Sequence, residues 1–120
     1  MTIVEFFSET WKAAENISTG NVVVTSDAFD RGIAKAVSGN TNIVGICQRP
    51  IASGSTGPVL IAGEGIVNVG SNLVSKGDLL MASTEPGVAV TATGVEYYGQ
   101  ICGMALETGT GIIKVLAFHI

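Results

Sequence analysis

The sequence predicts an all-β fold, a small barrel or sandwich built from two pseudo-repeated β-hairpin motifs and preceded by an N-terminal arm. Three observations carry that reading. Short apolar runs recur at a spacing of roughly ten residues, the turns between them are rich in Gly, Asn, Ser and Thr, and one block is used twice. Val74-Ser75-Lys76-Gly77-Asp78-Leu79-Leu80 repeats the pattern of Ile17-Ser18-Thr19-Gly20-Asn21-Val22-Val23, each residue shifted by 57, as from 17 to 74. Three further pairs follow in the same order with small drifts in register: residues 32–36 with 87–91, 43–47 with 101–105, and 57–61 with 111–115. Two copies in one short chain are a duplication inside a single core, because a solenoid needs three or more. The expected organisation is an arm over residues 1–15 and a β domain over 16–120, its copies at 16–70 and 71–120.

The arm holds Phe6, Phe7 and Trp11, three of the seven aromatic side chains, with Glu5, Glu9 and Glu15 between them. Positions 7 and 11 suit one face of a helical turn. Aromatic rings gathered on a short terminal segment are costly when left wet, so they dock on another subunit or cover the domain's own core. Both alternatives stand. On the first, Phe6, Phe7 and Trp11 are candidate contact residues, and removing residues 1–11 leaves a folded domain.

From residue 16 the period is that of strands. Residues 22–25 form an apolar strand, 27–32 a turn, and 33–37 the return. Residues 43–47 are apolar on both faces, as in a central strand, and Pro50 ends it for want of an N–H. The loop at 53–58 leads to a strand at 59–62, a bend at Gly63-Glu64-Gly65 and another strand at 66–69. In the second copy the strands start at Leu79, Val88, Ile101 and Ile112. Gly20 and Gly77 occupy matching turn positions where a positive φ angle is the economical explanation. The same parallel accounts for Lys76-Gly77-Asp78, which otherwise resembles a short adhesive tripeptide.

At 120 residues and 47% apolar content the chain suits one well-filled core. Charged residues make up only 13%, about half the usual share, so part of the surface is expected to face permanent neighbours. A net charge of -4 with its six basic residues scattered singly excludes a nucleic-acid surface, which needs clustered cations against phosphates. No run approaches the roughly 20 apolar residues of a membrane span, and the start lacks the pattern of a signal peptide. Synthesis in the cytoplasm is the expectation.

Catalytic and metal chemistry find little purchase. His119 is the single histidine, and no motif brings it to Cys47 or Cys102 with a third group to orient it. The two cysteines, expected within one residue of each other when the copies are aligned, read as small core residues, with a disulfide or reactive thiol as the alternative. The carboxylates are dispersed over turns; Asp27 and Asp30 flank one loop, where Asx hydrogen bonds serve as well as weak calcium binding. Gly54-Ser55-Thr56-Gly57 and Gly109-Thr110-Gly111 lack the Lys-Ser or Lys-Thr and the helix of a phosphate loop. No enzyme activity, cofactor, metal or small-molecule substrate is expected.

The blocks at 17–23, 32–36 and 43–46, and more closely those at 74–80, 85–89 and 103–107, resemble the small phage head proteins known as capsid decoration or cement proteins. That family's pattern is an Ile-x-Ala-Gly-Asp-x-Val opening, a Gly-x-Val-x-Lys-Ala return, an Ile-Val-Gly-Val-Ala strand and a glycine turn into the last strand. The likeness covers about residues 15–118, with Thr19 in place of alanine and Asn21 in place of aspartate. The same blocks also resemble a β module of phage tail fibres and appendages. What the resemblance implies is a virion structural protein on the outside of an icosahedral head, a homotrimer that binds the major capsid protein and clamps neighbouring capsomers. Phe6, Phe7 and Trp11 are its expected capsid contacts. Three alternatives remain: a tail-fibre or baseplate module, a self-cleaving or thiol hydrolase using Cys47 or Cys102 with His119, and a glycan-binding module stacking sugars on Trp11, Tyr97 and Tyr98.

Overall fold

The computed structural model describes residues 7–92 and 100–118. Over these the chain is all-β, with nine strands: β1 (Phe7–Ala13), β2 (Val22–Ser26), β3 (Gly32–Lys35), β4 (Ile43–Cys47), β5 (Thr56–Asn68), β6 (Leu79–Ala82), β7 (Ala89–Thr91), β8 (Ile101–Ala105) and β9 (Ile112–Ala117). Their order is β1-β3-β2-β4-β5-β9-β8-β6-β7, and β1 also pairs with β5. That extra pairing closes β1, β3, β2, β4 and the first part of β5 into a five-stranded barrel. The second part of β5 continues into an open sheet through β9, β8, β6 and β7.

The segment expected as a helical turn in an arm is therefore a strand. Phe7 to Lys12 pair antiparallel with β5, and Lys12 and Ala13 pair parallel with β3. Past the register shift between Phe7 and Ser8, the odd positions of β1 point to the side of the fully buried Ala13, so Trp11 turns inward with it. The expected bend at residues 63–65 is likewise no break. Gly63 takes a φ of 115° while the ladder continues, so one 13-residue strand passes from the barrel into the second sheet.

The duplication is legible bond by bond. The Ser18 N–H donates to Asn21 Oδ1 at 2.8 Å, and the Ser75 N–H donates to Asp78 Oδ2 at 2.9 Å. Ile17 bridges to Ile51 as Val74 bridges to Gly109. The Gly54 N–H donates to the Ala13 carbonyl, and the Gly111 N–H to that of Gly70. Both copies carry a register shift at one place, between Val23 and Val24 and between Leu80 and Met81. Gly20 and Gly77 have φ of 81° and 95° at their matched turns. Gly45 and Gly103 admit close strand contact: a Cβ there would lie 2.2 Å from the Leu60 oxygen and 2.4 Å from the Leu116 oxygen.

The bond pair at Ala13 and Gly70 makes β1 the counterpart of the second part of β5, at the same shift of 57. The repeat thus begins in β1, placing this segment inside it, and restarts within β5. The match ends at one seam. In the first copy β1 joins β3, whereas no pairing of β5 with β7 occurs among the described residues. There the Asn72 side-chain amide donates to the Ala89 carbonyl at 3.2 Å, at the position where Glu15 accepts the Lys35 N–H at 2.9 Å in the first copy.

Two cores result. The barrel interior is filled by Ala13, Ile17, Val23, Ile33, Cys47 and Val59 among others, with Trp11 packed against them. A larger cluster joins the outer face of the barrel, Val22, Ile46 and Leu60, to the inner face of the second sheet, including Val74, Leu80 and Val115. The open sheet thus lies over the barrel wall and seals it.

Candidate functional site

The nominated contact residues divide between surface and core. Phe6 lies outside the described residues. Phe7 is 55% exposed at the start of β1, opposite Ala62. Trp11 is half-buried against the barrel core, and Arg31 sits over its ring, 4.2 Å from the centroid. Pairing of β1 with β3 makes this arrangement reciprocal: Lys12, next to Trp11, lies 4.3 Å over the ring of Phe29 in the turn that carries Arg31. The Arg31 Nε–H donates to the Thr10 carbonyl at 3.1 Å, the Lys12 N–H donates to the Arg31 carbonyl at 2.7 Å, and Glu9 stands 3.6 Å from the guanidinium. Two cations that the sequence scatters singly are thereby held on two ring faces. Their predictive signal is weak, since only the parallel pairing brings Lys12 and Phe29 together.

Hollows border this cluster on both sides. One of about 500 Å³ is lined by Thr10, Lys12, Arg31 and Thr56; another of about 520 Å³ by Thr25, Ser26 and Asp27, with Trp11, Phe29 and Asp30 common to both. The Trp11 Nε1 is buried without a hydrogen-bond partner. Because the indole face is covered by Arg31 and the Phe29 face by Lys12, these rings offer no free platform for a sugar on those sides. Tyr97 and Tyr98, nominated for the same purpose, lie outside the described residues. A third hollow, of about 320 Å³, runs beside the exposed start of β1 and is lined by Ser8, Gln48, Arg49, Pro58, Leu60 and Glu64.

The cysteines are not equivalent. Matching Gly45 to Gly103 pairs Cys47 with Ala105 and Cys102 with Val44, so they stand three positions apart in the aligned copies rather than within one. Cys47 is sealed in the barrel and Cys102 in the larger cluster, both as free thiols. Burial pushes each thiol up to about 12, which keeps the proton on sulfur and withholds the thiolate a hydrolase needs. His119 lies outside the described residues. Among those described, no three His, Cys, Asp or Glu side chains gather as metal ligands. The carboxylate of Asp78, in the tripeptide resembling an adhesive motif, is occupied by the Ser75 N–H and by Thr91 Oγ1 at 3.0 Å.

What the geometry defines is a duplicated all-β domain, a closed barrel overlaid by the open sheet of its own second copy. No family model matches the chain, and no curated protein matches it. Among solved structures it is similar to the N base of the head fibre gp8.5 of bacteriophage phi29, at 20% identity over 94% of each chain with a TM-score of 0.68. The likeness extends through both copies and is one of fold.

Proposed function

We propose that this chain is a structural protein of a phage virion, carried on the head, where it binds the major capsid protein and cements neighbouring capsomers as a homotrimer. The observation that carries the reading is the likeness, over 94% of each chain, to a protein named as the base of a phage head fibre. It supports the head over the tail. The composition agrees, because 13% charged residues is little for a domain that meets only water. The mechanism is adhesion: apolar and aromatic side chains dock on the coat, and several attachment points in one oligomer slow dissociation far more than one contact does. Of the nominated anchors among the described residues, Phe7 is the exposed one. Trp11 is engaged in its own barrel, and the third hollow beside Phe7 supplies an adjoining groove.

Copy number in purified particles of the source tests the proposal. A ratio near one per coat subunit is expected for a shell-covering cement protein. A handful of copies per particle moves the chain to a tail fibre or baseplate, and absence from particles ends the virion reading. Deleting residues 1–11 is a poor companion test, because it removes most of the strand that closes the barrel. Phe7→Ala is the sharper one: the variant is expected to keep its stability and to bind capsids more weakly in a sedimentation assay.

A further inference from the structure

The outer face of the second sheet does not look like a sheet face that meets water. In an antiparallel sheet with one face on the core, the other is normally polar. Here Leu79 pairs with Met104 and Met104 with Leu116, one apolar row across β6, β8 and β9. These three alternate with Leu80, Ala105 and Val115, which are fully buried on the inner face, while the row itself is half-buried. Ile66 and the 47% exposed Ile112 extend the same face.

The duplication says what such a row is for. Its counterpart in the first copy is Val22, paired with Ile46, paired with Leu60. That row is at most 1% exposed, because the sheet of the second copy lies on it. The protein therefore already uses this position, in this fold, as a surface covered by another module of the same chain. The charges on the outer face are suited to a like partner. Glu64 is opposite Leu116 and Lys114 is opposite Ile66, so the two are diagonal neighbours, both exposed, and the ion pair formed among the described residues is a different one, Arg31 with Glu9. A face with one carboxylate and one ammonium beside an apolar row lets the ammonium of one copy meet the carboxylate of the next around a closed ring.

We propose that the outer face of β6, β8, β9 and the second part of β5 is the contact between copies of this chain, with the row of Leu79, Met104 and Leu116 at its centre and Lys114 of one copy against Glu64 of the next. The proposal deepens the assembly reading and rests on it for the number of copies.

Sedimentation equilibrium of the purified chain, without particles, tests it separately from the virion reading. The unmodified chain is expected to self-associate. Lys114→Glu and Glu64→Lys, both at exposed positions and checked for native circular dichroism, are each expected to weaken association about tenfold or more by facing like charges. The double variant E64K/K114E is expected to restore it. A monomer at high micromolar concentration overturns the proposal, as do single variants that associate normally or a double variant that stays dissociated. Met104→Ser, a milder change in the apolar row, is expected to weaken association without charge, and unchanged association in that variant also counts against the proposal. Success here with absence from particles would keep the interface and discard the virion reading.

Discussion

Trp11 and Phe7 sit four residues apart on one strand in opposite surroundings, the first packed on the barrel core and the second exposed. Trp11 packs on the barrel core and carries Arg31 on its ring, so Trp11→Ala is expected to cost about 3 kcal/mol in urea unfolding, the low end for a large aromatic truncation because the residue is only half-buried. Arg31→Ala removes a ring contact and a 3.6 Å ion pair at an exposed site, and about 0.5–1 kcal/mol is expected. The thiols give a pH signature. Below their ordinary value of 9.0, folded and unfolded states both hold the proton and contribute no slope. Above it the unfolded thiol ionises while the folded one keeps its proton up to about 12, so stability falls as pH rises, by at most about 1.4 kcal/mol per pH unit for each cysteine. Urea midpoints measured from pH 8 to 10.5 are expected to drop, and the drop is expected to shrink in Cys47→Ala and Cys102→Ala. A disulfide reagent is expected to leave both native thiols unmodified.

At the scale of the strand, the matched glycines make the duplication testable. A side chain at position 45 or 103 runs into the backbone oxygen of the neighbouring strand, so Gly45→Ala and Gly103→Ala are each expected to destabilise by about 1–3 kcal/mol, and by similar amounts. Unequal costs in thermal melts would mean that the two strands are held differently. These strands were readable from sequence because their signals are local: apolar residues on both faces of 43–47, turn residues at 18–21 and again at 75–78. Strand β1 was not. Phe7-Ser8-Glu9-Thr10-Trp11-Lys12-Ala13 shares no pattern with its counterpart Glu64-Gly65-Ile66-Val67-Asn68-Val69-Gly70, and its conformation is settled by pairing with residues 56–62, far along the chain. The same non-local pairing hid the stacking of Lys12 on Phe29 and of Arg31 on Trp11. Gly63 misled in the other direction, since a glycine with positive φ is the usual mark of a turn and here only bends a continuing strand.

For the molecule as a whole, the placement of the two cores decides how it unfolds. Had each copy enclosed its own interior, the chain would behave as two units joined by a strand. Instead the inner face of the second sheet uses the barrel wall as its floor: Leu80, Val74 and Val115 share one cluster with Val22, Ile46 and Leu60. Backbone bonds cross the same boundary, from the Val22 N–H to the Gly87 carbonyl at 2.9 Å and from the Gly87 N–H to the Ala36 carbonyl at 2.8 Å. The buried Asn21 adds a side-chain bond to the Gly87 carbonyl at 3.3 Å. Opening the second copy alone would wet the whole row of Val22, Ile46 and Leu60, each about 1.5–3 kcal/mol of apolar transfer, and would trade those backbone bonds for bonds to water. The half-open state therefore forgoes several kcal/mol of shared burial, which couples the opening of one copy to that of the other. Calorimetry is expected to record a single transition with equal calorimetric and van't Hoff enthalpies, and Ile46→Ala, in the wall between the copies, to lower it as one peak rather than split it. Two resolved transitions would mean that each copy is stable by itself and that the shared cluster contributes little to holding them together.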